Sequence, residues 1–170
     1  VAARLYDGLT VLQHRGQEAA GIASYDGVAF RTERHLGLVS DNFSDATVLA
    51  RLKGVAAIGH TRYSTQGETV LKNVQPLYAD LDRNGIAIAH NGNLTNARKL
   101  RAELVQRGCI FQSTSDSELF LHLTARSHHL LMIDKVIDAL KQVEGAYALA
   151  ILTKDGLIGA RDPVGIRPLI

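Results

Sequence analysis

Residues 146–160 read Ala-Tyr-Ala-Leu-Ala-Ile-Leu-Thr-Lys-Asp-Gly-Leu-Ile-Gly-Ala, and this stretch decides the fold class. Two apolar runs, 146–153 and 157–160, flank the turn residues Lys154-Asp155-Gly156, a pattern typical of a β-hairpin. A second hairpin is predicted near the beginning of the chain, where 20–24 and 28–32 are joined at Asp26-Gly27. Hairpins at both ends predict antiparallel sheet.

The segments between the two hairpins are mostly helical in pattern. Helices are predicted over 3–13, 44–52, 93–107 and 133–143, with one more beginning after Ser115 or Asp116, and short strands over 55–59, 86–90 and 109–112. Gly108 stands where a C-terminal glycine cap belongs. Helices grouped between hairpins predict a layered α+β fold rather than a regular β-α-β alternation.

The composition indicates one soluble globular domain and excludes several classes of function. With 170 residues, 46% apolar and 21% charged, the chain resembles an average globular domain. A net charge of +2 without any run of Lys and Arg argues against nucleic acid as a partner. No apolar stretch is long enough to span a bilayer. A single cysteine, Cys109, excludes internal disulfides and cysteine-based zinc sites.

The first candidate site segment runs from His60 to Gly67, directly after a predicted strand. The guanidinium of Arg62 could hold a carboxylate through two parallel hydrogen bonds, with the Thr65 hydroxyl nearby and Gly67 as a flexible point. The alternative is that Arg62 pairs with a structural Asp or Glu.

The second segment is His90-Asn91-Gly92-Asn93-Leu94, also at a strand end. An Asn91 amide beside the bare N–H of Gly92 could form an oxyanion hole, in which each donor contributes about 3 kcal/mol at the transition state. The alternative is a tight Asn-Gly turn followed by a helix cap.

The third segment, 113–118, contains Asp116, which either caps the following helix or receives an ammonium group from a ligand. Arg62 and Asp116 together would suit a free amino acid, which carries one carboxylate and one ammonium. Cys109 lies in an apolar setting that favours a packed thiol over a nucleophile. The histidines show no metal-ligand spacing.

Five segments together resemble the class II glutamine amidotransferases of the N-terminal-nucleophile hydrolase superfamily. They are Leu12-Gln13-His14-Arg15-Gly16-Gln17-Glu18-Ala19-Ala20-Gly21-Ile22, Gly59-His60-Thr61-Arg62-Tyr63, Ala89-His90-Asn91-Gly92-Asn93-Leu94, Thr114-Ser115-Asp116-Ser117-Glu118 and Arg161-Asp162-Pro163-Val164-Gly165-Ile166-Arg167-Pro168-Leu169. Each is weak alone, but they follow the family's order and spacing across almost the whole chain. The first and last favour the purine-biosynthetic branch, although Val164 replaces its usual Asn.

The resemblance implies a fold and a ligand. Residues 1–170 would form one glutamine-hydrolysing domain with the four-layer αββα sandwich of the N-terminal-nucleophile hydrolases, truncated at its first strand. Arg62 would bind the α-carboxylate of L-glutamine with Thr65 beside it, and Asp116 would bind the α-amino group. The loop from Arg62 to about Asn73 would close over the ligand.

The resemblance also assigns the reacting groups. Asn91 and the Gly92 N–H would form the oxyanion hole, and Arg15 would shape the pocket wall near the nucleophile. That nucleophile would be an N-terminal cysteine whose own α-amino group, with a pKa of about 8, serves as the base. The family's Cys-Gly strand would lie a short way upstream of Val1 and is not among the 170 residues, which alone are therefore expected to be inactive.

The remaining expectations concern the intact protein. The domain itself would need no cofactor, whereas phosphoribosyl pyrophosphate and Mg²⁺ would bind a phosphoribosyltransferase domain beyond Ile170. An iron–sulfur cluster is left open. The parent is expected to be a cytoplasmic homo-oligomer without nucleic-acid or membrane partners. Three alternatives stand beside this hypothesis: another class II glutaminase domain, a non-catalytic amino-acid-binding module, and a hydrolase that uses Cys109.

Overall fold

Two antiparallel sheets lie face to face, each covered on its outer side by helices, in a computed structural model that describes residues 1–63, 70–81 and 85–170. The helices are α1 (Ala2–Val11), α2 (Val39–Phe43), α3 (Ala46–Arg51), α4 (Ala97–Gln106), α5 (Ser117–Arg126) and α6 (Met132–Leu140). The strands are β1 (Ala19–Tyr25), β2 (Phe30–Leu36), β3 (Ala56–Arg62), β4 (Leu77–Ala79), β5 (Ile86–Leu94), β6 (Gly145–Thr153) and β7 (Gly156–Arg161). The strand orders are β2-β1-β3 and β4-β5-β6-β7.

Three apolar clusters define the four layers. One cluster joins α1, α2 and the residue after α3 to β1, through residues such as Leu9, Phe43 and Ile22. A larger cluster joins α4, α5 and α6 to the other sheet, with Phe120 and Ile88 among its members. The third lies between the two sheets and is built mainly of small residues. The predicted αββα sandwich is therefore confirmed.

Strand alternation decides which side chains face the space between the sheets. In β3, Ile58 belongs to the inter-sheet cluster, so Arg62 at the end of the same strand lies on that face too. In β5, Ala87 and Ala89 belong to this cluster, and Asn91 follows in the same alternation. The ends of β3 and β5 thus bring Arg62 and Asn91 to one polar end of the inter-sheet space.

Both predicted hairpins are confirmed. β1 and β2 pair from Tyr25 opposite Phe30 to Ala19 opposite Leu36, and β6 and β7 pair around a turn at Lys154 and Asp155. The first hairpin begins its second strand at Phe30 rather than residue 28, because Asp26 Oδ1 accepts hydrogen bonds from the amides of residues 28 and 29 and closes a wider turn.

The structure corrects the predicted boundaries around residue 93. We predicted a helix from Asn93, but β5 continues to Leu94, and α4 begins at Ala97. The reason is long-range pairing, since residues 91–94 lie opposite residues 148–145 of β6. The Asn-Gly pair is therefore part of a strand, not a turn.

The predicted strand over 109–112 is wrong, because these residues form no ladder in the part of the chain that the structure describes. They follow the end of α4, where Gly108 adopts a positive φ of 86°. The N–H groups of Gly108 and Cys109 donate to the carbonyls of Val105 and Leu104, which completes a Schellman cap and confirms the predicted glycine cap.

Candidate active site at the ends of β3 and β5

Arg62 ends β3, and towards the described residues most of its hydrogen-bonding capacity is unused. Its guanidinium makes one hydrogen bond to them, from Nη1 to the Asn73 carbonyl at 3.3 Å. Its Nε is buried and has no partner among them. The backbone is fixed more firmly: the Arg62 carbonyl accepts from Glu18 N–H, and Gly16 packs so closely that a Cβ there would lie 2.6 Å from the Arg62 carbonyl carbon. A cation held this way can accept a carboxylate.

The N–H of Gly92 lies on a partly occupied edge of β5. His90 and Leu94, two residues to either side, direct their N–H groups to this edge, where they bond to Gln75 Oε1 at 2.6 Å and Asp116 Oδ2 at 3.0 Å. Alternation along the strand places the Gly92 N–H between them. The opposite residue, Tyr147, uses its own N–H and C=O on Asp162 instead.

Among the residues that the structure describes, the Gly92 N–H therefore has no hydrogen-bond partner, while both neighbouring N–H groups on that edge have one. A side chain at position 92 is sterically forbidden, since a Cβ would collide with the Ala146 carbonyl oxygen and lie 2.7 Å from His90 Nε2. Asn91 is exposed beside it, on the inter-sheet face. An open N–H next to an exposed amide can stabilise a developing oxyanion.

Asp116 stands directly before α5 but does not cap it. Its Oδ2 accepts from Leu94 N–H, and its Oδ1 lies 3.7 Å from His90 Nδ1. Its carboxylate turns towards β5 rather than towards its own helix. Of the two cap candidates it is Ser115, not Asp116, whose side chain accepts from the first turn, from Ser117 N–H at 3.3 Å. The structure thus brings Asp116 to the edge of β5 that carries the Gly92 N–H.

Two histidines, His90, which is buried, and His60, which is half-buried, support this end of the sheets. His90 Nδ1 lies 3.0 Å from Ser117 Oγ, and its ring packs edge-on against Phe120 at 5.3 Å between centroids. Burial lowers the pKa of His90, against the raising effect of Asp116. Burial above all lowers the pKa of His60 to about 4, together with repulsion between the protonated forms of His60 and His90 and the positive charge of Arg62. Both rings are therefore neutral at pH 7.

Asp162, in the closing motif, ties β6 to the end of the chain. It is buried, and its carboxylate accepts from the N–H groups of Ile166 at 3.0 Å, Arg167 at 3.1 Å and Tyr147 at 3.3 Å. The hydrogen bond from Ile166 above all, with those from Arg167 and Tyr147, lowers the pKa of Asp162 to about 2 although burial opposes it. Tyr147 in β6 lies opposite Gly92 in β5. By binding the Tyr147 N–H, the Asp162 carboxylate therefore also fixes the part of β6 that lies beside Gly92.

We expect Asp162 to give the protein a distinct acid sensitivity. Its pKa is about 2 when folded against an ordinary 3.8, so its stabilising contribution is complete above about pH 4 and is lost as the pH falls towards 2. Asp162→Asn should unfold at lower urea than the wild type at pH 7, and the two midpoints should converge near pH 2. Asp155→Asn, an exposed turn carboxylate, is the control. A constant gap across this range would contradict the assignment.

The other predicted site residues stand as follows. Thr65 and Gly67 lie outside the described residues. Arg15 is exposed, without a hydrogen bond among the described residues, but it immediately precedes Gly16, which packs on Arg62. Cys109 is half-buried against the helix-side core, and its thiol has no histidine partner in the described chain. This placement argues against a hydrolase that uses Cys109.

Other features of the described residues point away from different kinds of site. No cluster of His, Cys, Asp or Glu suited to a metal is found in the described ranges. None of the described helices has the length and apolarity needed to cross a membrane. A cavity of about 490 Å³ lies between β4 and α5, lined by Arg34, Tyr78 and His122 among others, but it does not include Arg62, Gly92 or Asp116.

Comparison with known proteins gives consistent results. A family model described as a glutamine amidotransferase domain matches residues 60–170. The amidophosphoribosyltransferase of Rhizobium etli is 58% identical over 163 residues, which cover 96% of this chain and 33% of that protein. The amidophosphoribosyltransferase of Lacticaseibacillus casei is 47% identical, and the match covers 96% of this chain and 84% of that sequence.

A solved structure agrees in both sequence and fold. Glutamine phosphoribosylpyrophosphate amidotransferase from Bacillus subtilis, complexed with ADP and GMP, superposes with a TM-score of 0.88 at 43% identity. The match covers 96% of this chain and 35% of that one. The chain therefore spans about a third of the length of most of these relatives.

Proposed function

Because this chain belongs to the amidophosphoribosyltransferase family of glutamine amidotransferases, we propose that the polar end of its two sheets binds L-glutamine for hydrolysis. Arg62 binds the α-carboxylate, Asp116 the α-ammonium, and Asn91 with the Gly92 N–H receives the side-chain amide oxygen. Thr65 and Arg15 complete the pocket wall. The observation that carries this proposal is the Gly92 N–H, which has no partner in the described part of the chain and lies between two N–H groups that have one, at the end where Arg62 and Asp116 also lie.

The chemistry follows from where charge develops. A thiolate that attacks the amide carbon turns the carbonyl oxygen into an oxyanion, and two preorganised donors stabilise that charge more than they stabilise the ground-state carbonyl. The base that took the thiol proton returns it to the leaving nitrogen, so that collapse releases ammonia and leaves a glutamyl thioester, which water cleaves to glutamate and the free thiol. In this family the thiolate belongs to an N-terminal cysteine. The 170 residues contain only Cys109, which lies away from Arg62 and Gly92.

The intact protein would use the ammonia. We propose that it is transferred to phosphoribosyl pyrophosphate, with Mg²⁺, in a part of the protein outside the 170 residues, which gives phosphoribosylamine for purine synthesis. This proposal is supported by the relatives' names as amidophosphoribosyltransferases and by their greater length. A cytoplasmic homo-oligomer, with no nucleic-acid or membrane partner, is proposed for that protein.

The binding proposal can be tested with ligands that each lack one group of L-glutamine. Glutaramic acid lacks the α-amino group, 4-aminobutanamide lacks the α-carboxylate, and L-norvaline lacks the amide. In an NMR titration of the protein, each should bind at least about tenfold more weakly than L-glutamine, because each leaves one polar group of the site without its partner in the complex.

The NMR signals add a second criterion. The Gly92 amide should shift with L-glutamine and not with L-norvaline, since only the former offers a carbonyl oxygen to that N–H. If 4-aminobutanamide binds as tightly as L-glutamine, Arg62 is not the carboxylate anchor. If no ligand binds, the proposal is wrong for this chain.

A further inference from the structure

Three consecutive residues, Asn73, Val74 and Gln75, connect the two sheets at the polar end. All three are buried, although two of them are polar and none belongs to a regular strand. Buried polar side chains outside regular structure are retained only where they satisfy other groups. What these residues contact therefore indicates what they do.

The backbone of the 73–75 segment is bound to the first sheet. Arg62 Nη1 donates to the Asn73 carbonyl at 3.3 Å, and Arg34 Nη1 donates to the Val74 carbonyl at 3.1 Å. The Gln75 carbonyl oxygen lies directly over Gly21 in β1, so close that a Cβ at position 21 would collide with it. All three carbonyl groups thus face the sheet that carries Arg62.

The side chains of the same segment are bound to the other half of the site. The Asn73 amide makes two hydrogen bonds with Thr114, donating to its Oγ1 at 2.9 Å and accepting from its N–H at 3.0 Å. Thr114 is two residues before Asp116. The Gln75 amide pairs with the backbone of His90, accepting from its N–H at 2.6 Å and donating to its carbonyl at 3.2 Å.

The pair between Gln75 and His90 replaces a strand with a side chain. β4 pairs with β5 only as far as Leu77 opposite Ile88. The Gln75 amide makes the same two hydrogen bonds with His90 that one more backbone pair would make, and the pairing along this edge of β5 stops there. A continuing strand would have covered the N–H of Gly92, the next group along that edge. The side chain therefore satisfies the backbone of His90 and, among the described residues, still leaves the Gly92 N–H open.

We propose that Asn73 and Gln75 are positioning residues that act on opposite ends of the bound glutamine, an inference that rests on the function proposed above. Asn73 fixes the distance between Arg62 and the Asp116 segment, and so determines how well the two charged ends of the amino acid are held. Gln75 fixes the strand that presents the Gly92 N–H, and so acts on the amide carbonyl. Neither residue needs to touch the ligand.

The test is a crossed comparison of two variants with two ligands, measured by NMR titration. Asn73→Ala should weaken L-glutamine and L-norvaline alike, each by about tenfold, because both ligands carry the same charged ends. Gln75→Met, similar in length but unable to form these hydrogen bonds, should weaken L-glutamine by about tenfold and leave L-norvaline within about twofold. The Gly92 amide signal should shift in Gln75→Met even without ligand.

Asn42→Ala is the matched control. Asn42 also makes two hydrogen bonds, to the carbonyls of Leu36 and Leu38, but it lies on α2 away from the site. It should leave both affinities unchanged. Asn73→Asp, which keeps the acceptor for Thr114 N–H, provides a milder variant if Asn73→Ala unfolds, and it should weaken both ligands in the same direction.

The outcomes separate the two hypotheses. If both variants weaken both ligands equally, the segment only stabilises the fold and the positioning roles are wrong. If neither variant changes either affinity, the roles are wrong as well. If the wild type does not prefer L-glutamine to L-norvaline, the failure belongs to the proposed function and not to the 73–75 segment.

Discussion

Arg62→Ala should weaken the binding of L-glutamine by about 100-fold, because truncating one partner of a desolvated charge pair costs about 2–5 kcal/mol. Only ligands that carry the α-carboxylate should lose affinity. Binding of 4-aminobutanamide, which has no carboxylate, should change by less than about threefold. Isothermal titration calorimetry of both ligands with both proteins measures this difference. The affinity of Arg62→Lys for L-glutamine should lie between those of the wild type and Arg62→Ala, since an ammonium keeps the charge but cannot form two parallel hydrogen bonds.

The folded state should tolerate this change, which keeps the measurement clear. Arg62 makes a single long hydrogen bond among the described residues, so its removal takes little from the structure. Arg51→Ala is a suitable control, because Arg51 pairs with Glu33 on an exposed surface at 2.7 Å and lies outside the site. Equal losses for both ligands in Arg62→Ala would show that the guanidinium does not recognise the carboxylate.

Asn91→Ala should lower kcat for glutamine hydrolysis by about 100- to 1,000-fold, with little change in KM, in a form of the protein that carries the family's N-terminal cysteine. Removal of one oxyanion donor typically has this effect, because the donor acts on charge that exists only in the transition state. The measurement is steady-state release of glutamate or ammonia.

Asn93→Ala is the matched control for Asn91. Asn93 lies two residues further along β5, is equally exposed, and its side chain makes no hydrogen bond among the described residues. It should retain kcat within about threefold. A comparable loss in both variants would mean that disturbing the strand end, rather than removing a donor, explains the effect.

The sequence predicted the proposed ligand-binding residues of the candidate site better than it predicted the residues that hold them in place. The sequence singled out Arg62, Asn91 and Gly92 because charged, amide and glycine residues directly after predicted apolar strands are unusual. Asn73 and Gln75 were missed because their partners are 41 and 15 residues away along the chain. A local signal existed, since two polar amides flank Val74 immediately before Pro76, but it does not indicate which backbone they satisfy.

The fold was predictable where structure is local, and less so where distant pairing decides. Hairpins and the Gly108 cap depend on neighbouring residues, and both were predicted correctly. The predicted end of β5 was wrong because residues 91–94 pair with residues 145–148 of β6, and this pairing overrides the turn tendency of Asn-Gly. Likewise Asp is a residue type that often caps helices, yet the hydrogen bond from the distant Leu94 N–H turns the Asp116 side chain away from α5.

The layer between the two sheets is made largely of alanine, with Ala23, Ala87 and Ala89 at its centre. Small side chains let the sheets approach closely, so their size sets the width of the gap between Arg62 and Asn91, the two groups proposed to bind one ligand. Interior residues that never contact the ligand thereby help to set the size of the proposed binding site. Bulkier replacements at these alanines should widen the gap at a cost in stability, since overpacking a core is destabilising, and a search for altered specificity could begin in this hidden layer.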